Sequence, residues 1–128
     1  MKLHTQTRLS TEKQTGNCFP TVLACLLDMD SPEDCLQIQE HYEEEDWSEV
    51  LKEYLNKKGY YLHDIEDHLY DDRYYLVTGK SPRNIWHICI YQNGKLFHDP
   101  HPSRAGLISD YSFMILEKYP ETEIEKIF

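Results

Sequence analysis

The residues best suited to chemistry in this chain are Cys18, His87 and Asp99, which occur in that order. A thiol becomes a strong nucleophile when a histidine takes its proton and a carboxylate orients the histidine ring. Cys18 lies where the polar turn Gly16-Asn17 leads into the apolar stretch from Val22 to Leu27. This predicts a thiol at a helix N-terminus, where unpaired N–H groups and the helix dipole favour the thiolate. The pattern indicates a cysteine hydrolase.

The hairpin expected around Asn93-Gly94 determines how His87 and Asp99 are related. A two-residue turn places His87 opposite Pro100, so that Asp99 faces away. A three-residue loop, Gln92-Asn93-Gly94, instead sets His87 opposite Asp99, where the carboxylate can fix the ring tautomer. The sequence leaves both registers open.

Acyl transfer also needs a donor for the developing oxyanion, and in cysteine hydrolases an upstream glutamine often joins the N–H of the cysteine. Gln6 and Gln14 are both candidates, and Gln6 is slightly preferred because its longer loop has more freedom to curl back. Arg83 and Arg104 are candidates for binding an acidic group, since arginine presents a planar fork to a carboxylate or a phosphate. The further candidates for contact with a substrate are Asn17, Trp86, His101 and Arg104.

A metal site is the competing interpretation of the same region. Together, His87, His98, Asp99 and His101 supply ligands that suit a borderline metal such as zinc. Their spacing matches no helical ligand motif, and two prolines stiffen the segment. We therefore expect neither a metal nor another cofactor.

Composition limits the classes of function. The 128 residues predict one domain, 1–128, and 23 acidic against 13 basic residues give a net charge of −10. This charge disfavours non-specific binding to nucleic acid and to anionic membranes. Acidic residues concentrate in Glu40 to Glu49 and Asp64 to Asp72, which is typical of a solvated face. A nucleic-acid mimic and a docking surface for a basic partner are the alternatives.

We expect the protein to be cytoplasmic and its cysteines to be in the state typical of that compartment. The start, Met1 to His4, does not resemble a signal peptide, and no apolar run is long enough to span a bilayer. The four cysteines are therefore expected to be reduced, with Cys25 and Cys89 buried as small hydrophobic residues. The sequence leaves the oligomeric state open.

The secondary-structure elements that must position these residues are expected to change from helices to strands along the chain. Helices are expected first: one after Cys18, one from Ser31 to about Tyr42, and one capped by Asp46 that ends at Gly59. Alternating, β-rich stretches follow and predict an antiparallel sheet. The result is an α+β fold with N-terminal helices packed on the sheet. The expected strands are Tyr60 to Ile65, Tyr74 to Thr78, Ile85 to Tyr91, Lys95 to Asp99 and Tyr111 to Leu116, and Glu117 to Phe128 is expected to be a short helix or a loose tail.

The order of motifs resembles a family of small uncharacterised papain-like proteins that are common in phage and prophage genomes. The resemblance runs to about Phe113 and lies in Gly16-Asn17-Cys18, Gly79 to Arg83, His87 and the segment from His98 to Leu107. The order is also similar to that of the bacteriocin-processing peptidases that remove double-glycine leaders. The resemblance implies a papain-like cysteine peptidase fold with Cys18, His87 and Asp99 as the triad.

The leading hypothesis is a cysteine-dependent hydrolase or acyltransferase that acts on a peptide, isopeptide or other amide bond through a thioester. Its partner is then a peptide or protein substrate. The alternative is a non-catalytic binding protein on a papain-like scaffold, for example an inhibitor of a host factor. A metal-dependent hydrolase is the third hypothesis.

Overall fold

A computed structural model describes residues 1–120 of the chain. The expected helix or tail from Glu117 to Phe128 lies mostly outside the described residues, and its first two residues belong to the last strand. Neither helix in the described part combines the length and the apolar character that a membrane span requires.

Two α-helices form, α1 at Cys18–Leu26 and α2 at Trp47–Lys57. Helix α1 is buried along most of its length, which fits its nearly continuous apolar sequence. Helix α2 is amphipathic and turns Leu51 and Leu55 into the core. Gly59 follows α2 with a φ of 85°, a left-handed conformation that suits glycine after a helix. Asp46 stands at the N-terminus of α2, but its side chain makes no capping hydrogen bond.

The expected helix from Ser31 to Tyr42 is wrong in extent. Two short 3₁₀ helices form instead, at Pro32–Asp34 and Ile38–His41. The Ser31 side chain caps the first by accepting the Glu33 N–H at 3.2 Å, as its sequence predicts. Cys35 is extended, with a ψ of 151°, and this ends the helix so that Cys35 and Ile38 can both reach the core.

Five strands form one antiparallel sheet in the order β1-β5-β2-β3-β4. The two helices pack on this sheet, so the predicted α+β class and the helices-on-sheet arrangement are confirmed. The strands are β1 Tyr60–Ile65, β2 Tyr74–Lys80, β3 Trp86–Gln92, β4 Lys95–His98 and β5 Ser109–Lys118.

Strand β3 is buried on both faces of the sheet. Because side chains alternate along a strand, Ile88 and Ile90 pack with the helices on one face. Cys89 and Tyr91 pack on the other face with Tyr75 of β2. Strand β3 is therefore held from both sides, which fixes the position of His87 near its start.

The β3–β4 hairpin combines a two-residue turn with a bulge. Asn93 and Gly94 both have positive φ, 52° and 74°, and Gln92 pairs with Lys95. The register then shifts, so that Ile90 pairs with His98 and Phe97 is the extra residue. The three-residue loop is wrong, and the simple two-residue register does not persist beyond the bulge.

Candidate active site

Cys18 is the first residue of α1 and is half-exposed. A residue in the first turn has no intrahelical partner for its N–H, so the backbone N–H of Cys18 is available at the same place as its thiol. Pro20, also in the first turn, has no N–H to leave unpaired. The helix start therefore presents a nucleophile together with a hydrogen-bond donor.

His87 and Asp99 are hydrogen-bonded, with His87 Nε2 at 2.6 Å from Asp99 Oδ1. Both residues are buried, with 4% and 2% of their surfaces exposed. Asp99 follows β4, and its carboxylate also accepts the N–H of His101 at 2.8 Å and that of Gly106 at 2.7 Å. These two bonds fold the loop after β4 around the carboxylate, which lets Asp99 reach His87 without being its cross-strand partner.

The electrostatics of this pair favour a charged ring and a charged carboxylate. Burial alone would lower the pKa of His87, but the hydrogen bond to Asp99 and the neighbouring thiols of Cys18 and Cys89 raise it well above its ordinary value. Burial alone would raise the pKa of Asp99, but the hydrogen bonds from His87 and from two backbone N–H groups lower it to about 2.

The thiol and the imidazole open onto the same cleft, whose volume is about 480 Å³ when the space open to solvent is included. Of the nine lining residues, Cys18 and His87 supply the reactive groups, and Trp86 and Ile85 form part of an apolar wall. This arrangement allows a carbonyl group to approach the sulfur with the histidine beside it. The other lining residues are Gln6, Leu9, Ser10, Arg83 and His101.

Gln6 is placed in this cleft by an N-terminal strap, residues 4–8. The strap lies between α1 and the loop after β4, because the Gln6 N–H donates to Pro100 O at 2.8 Å and the Arg8 N–H donates to Asn17 Oδ1 at 3.0 Å. The Gln6 amide donates one N–H to Arg8 O at 3.1 Å, and its second N–H has no partner among residues 1–120. Gln6 is therefore a candidate oxyanion donor that faces the cleft beside Cys18.

Gln14 lies elsewhere. Its side chain is exposed and donates to Leu9 O at 3.0 Å, within the loop that follows the strap. It does not line the cleft. Of the two glutamines, the structure brings only Gln6 to the thiol.

Asn17 and Arg104 make hydrogen bonds that fix the N-terminal strap beside the site. Asn17 is fully buried, and its amide donates to Thr7 Oγ1 at 2.8 Å while its oxygen accepts the Arg8 N–H. Arg104 donates to Asp99 O at 2.6 Å and to the hydroxyl of Thr5. These bonds fasten the strap to α1 and to the loop after β4. Neither side chain lines the cleft, and contact of either one with a substrate stays a prediction.

Trp86 and His101 do line the cleft, as a substrate-contacting role requires. Trp86 is 53% exposed, with its ring against Tyr111 and the Lys80 ammonium 4.8 Å from the ring centre. His101 Nδ1 lies 2.8 Å from Ser103 Oγ, and its ring meets the His87 ring edge-on. Both residues are available at the rim.

The four side chains of the competing metal interpretation do not come together in the described residues, 1–120. The side chain of His98 is turned to His4 O, at 2.7 Å, and takes no part in the site. In residues 1–120, the group that could hold an ion is His87, Cys89 and Asp99, whose ligand atoms lie within 4.8 Å of one another. In this structure the histidine and the carboxylate of that group bond to each other instead.

Cys89 and Tyr42 are neighbours of the site that sequence reasoning missed. Burial raises the pKa of Cys89, which stands two residues after His87 on β3. Residues two apart share a face of a strand, and this spacing could have placed Cys89 beside the histidine. Burial, together with the nearby Cys18 sulfur, raises the pKa of Tyr42, and nothing in the sequence signals that proximity.

Comparison of the chain with protein-family models, with curated proteins and with solved structures finds no match. The cleft itself brings together a half-exposed thiol at a helix start, a buried histidine–carboxylate pair and an amide donor.

Proposed function

We propose that the protein is a cysteine-dependent hydrolase or acyltransferase that acts on a peptide, isopeptide or other amide bond. The observation that carries the proposal is that half-exposed Cys18 shares a cleft with His87, whose ring is held at 2.6 Å by buried Asp99. A structural cysteine has no need for such a neighbour, because buried thiols are ordinarily inert.

The reaction proceeds through a thioester. His87 takes the thiol proton, and the Cys18 sulfur attacks the carbonyl carbon of the substrate. The tetrahedral intermediate collapses as the C–N bond breaks, and the imidazolium of His87 gives its proton to the departing amine. Water, or a second amine in acyl transfer, then attacks the thioester with His87 as the base and releases the thiol.

Negative charge develops on the carbonyl oxygen during both attacks. The backbone N–H of Cys18 and the second N–H of Gln6 are the donors in this proposal. Asp99 acts through His87: it fixes the tautomer and stabilises the imidazolium. Trp86 and His101 contact the substrate at the rim.

A papain-like fold and membership of the small papain-like family are part of this proposal. Their support is the chain order, with a cysteine at the first helix, a histidine on a later strand and an aspartate after the next. A cytoplasmic location belongs to it as well. The four cysteines are free thiols, which is typical of proteins in a reducing compartment.

A binding protein on the same scaffold is the second candidate. Two large aromatic side chains stand exposed at the cleft: Trp86, 53% exposed, lines it, and Tyr111, 73% exposed, contacts the Trp86 ring. Exposed apolar groups that lie together often mark a protein interaction site. They would serve a protein substrate of the enzyme equally well, so catalysis must be tested directly.

The test is acetylation of the protein by p-nitrophenyl acetate, a generic acyl donor. We expect a burst of p-nitrophenolate equal to the enzyme concentration, and one acetyl group that peptide mapping locates at Cys18. Cys18→Ala should abolish the burst, whereas Cys35→Ala, which removes a buried thiol outside the cleft, should retain it. Absence of acetylation at Cys18 in the folded protein would favour the binding protein.

A further inference from the structure

Arg83 is a cation in the cleft, and in the described part of the chain it has no carboxylate partner. It lies in the tight β2–β3 connection, where the Ser81 N–H donates to Ile85 O at 2.9 Å and the Asn84 N–H donates to Ser81 O at 2.9 Å. Arg83 is half-buried and lines the same cleft as Cys18. Within residues 1–120 its hydrogen bond is to Ser103 Oγ, at 3.2 Å, and no carboxylate lies within ion-pair distance.

The other three arginines are all engaged. Arg8 and Arg73 each form ion pairs with carboxylates, and Arg104 donates to two backbone carbonyls and a hydroxyl. The chain carries 23 acidic residues, so carboxylates are abundant. Because Arg83 has no ion pair within residues 1–120 and lines the same cleft as Cys18, it has donors to offer a molecule that enters the cleft.

We propose that Arg83 binds a carboxylate of the substrate close to the bond that Cys18 attacks. The proposal rests on the proposed function, because it assigns the substrate class of the same cleft. A guanidinium presents parallel N–H donors that match the two oxygens of a carboxylate, and the contact with Ser103 limits how the side chain can turn.

The surroundings of Arg83 agree with an anion subsite. His101 lines the same cleft, and burial together with the positive charge of Arg83 lowers the pKa of His101. This places the guanidinium within electrostatic range of the imidazole. The protein as a whole carries a net charge of −10. The guanidinium of Arg83 therefore attracts a carboxylate into the cleft, whereas the wider acidic surface repels it.

The substrate is therefore an amide that carries a carboxylate near the scissile bond. Two sources offer this chemistry, the C-terminal carboxylate of a peptide and an acidic side chain next to the bond. Ac-Gly-OH carries only the first kind of group, and Ac-Asp-NH2 carries only the second. The one that better protects Cys18 from iodoacetamide identifies the source.

The direct test compares the alkylation of Cys18 by iodoacetate, which bears a carboxylate, with that by neutral iodoacetamide. In the ratio of the iodoacetate rate to the iodoacetamide rate, any change in the reactivity of the thiol itself cancels. We expect Arg83→Gln to lower the ratio by about three- to tenfold, as expected for one unit charge a few ångströms from a carboxylate near the surface. Arg83→Lys keeps the charge and should retain most of the ratio.

Arg73→Gln is the matched control. It removes the same charge at the far end of β2, about 20 Å from Lys80 along a seven-residue strand. The ratio should remain at the wild-type value in this variant. An Arg83→Gln ratio equal to that of the wild type overturns the proposal.

A second measurement separates this proposal from the proposed function. In Cys18→Ala, which has no nucleophile, acetate should still perturb the side-chain NMR resonances of Arg83 and His101. Acetate binding without Cys18 reactivity in the wild type refutes the enzyme and retains the anion site. If Cys18 is reactive but acetate has no effect and Arg83→Gln leaves the alkylation ratio unchanged, the anion site is refuted and the enzyme is retained.

Discussion

Replacement of Asp99 by asparagine tests the histidine–carboxylate pair most sharply. The carboxylate accepts three hydrogen bonds: Oδ1 from His87 and from the His101 N–H, and Oδ2 from the Gly106 N–H. An amide has only one oxygen. Whichever way it turns, its NH2 group faces a donor in a buried place.

The expected loss of stability follows from these contacts. A hydrogen bond to a charged group contributes about 1.5–3 kcal/mol, and an unsatisfied buried donor costs about 1–3 kcal/mol more. We therefore expect Asp99→Asn to lower the free energy of unfolding by about 2.5–6 kcal/mol at pH 5. Urea denaturation followed by tryptophan fluorescence measures this change.

The difference between wild type and Asp99→Asn should depend on pH. The pKa of Asp99 is lowered to about 2, so its contribution is present above about pH 4 and is lost as the pH falls towards 2. The pKa of His87 is raised, so its contribution is present below about pH 6.5 and is lost as the pH rises through the folded-state value. The difference should be largest between about pH 4 and 6.5.

Asp110→Asn is the matched control, since Asp110 lies 2.9 Å from His68 in a second histidine–carboxylate pair that is more exposed. Such pairs contribute about 0–1 kcal/mol, so this variant should remain close to the wild type. The reasoning is refuted if Asp99→Asn unfolds within 0.5 kcal/mol of the wild type at pH 5. It is also refuted if the difference between the two proteins is the same at pH 5 and pH 8.5.

Two further substitutions test the packing of the sheet and the proposed role of Gln6 as an oxyanion donor. Gly79→Ala should lower the free energy of unfolding by about 3 kcal/mol in urea, because the new Cβ would lie 1.8 Å from Ser109 O at the β2–β5 bulge; an unchanged midpoint would contradict the packing described. Gln6→Ala should slow acetylation of Cys18 about 100-fold while iodoacetamide alkylation, which forms no oxyanion, changes little. Gln14→Ala should leave both rates at wild-type values, and a slower acetylation in that variant instead would reverse the assignment.

The sequence predicts the sheet well because alternation and turn residues are local signals. Strand β1 begins and ends where the pattern places it, and the Asn93-Gly94 turn forms with both residues at positive φ. The helix expected from Ser31 fails because Cys35 and Ile38 gain more by reaching the core than by continuing a helix. That is a tertiary effect, which helix-start signals do not contain.

The candidate site illustrates the same limit. The bulge at Phe97 shifts the hairpin register. No residue type in that short strand predicts a bulge at this position. Asp99 reaches His87 through a loop held by the backbone N–H groups of His101 and Gly106. Contacts made by folded loops depend on the whole structure, so the sequence could single out His87 and Asp99 but not how they meet.

The most direct test of the central claim is the rate of Cys18 alkylation by iodoacetamide as a function of pH, read by mass spectrometry of the native protein. We predict that Cys18 reacts well below pH 8. This low-pH reactivity should vanish in His87→Ala and persist in His63→Ala, which removes a histidine exposed on β1. If Cys18 instead reacts only as a free thiol does, near pH ~8.5, or does not react in the folded protein, the cysteine–histidine pair is contradicted.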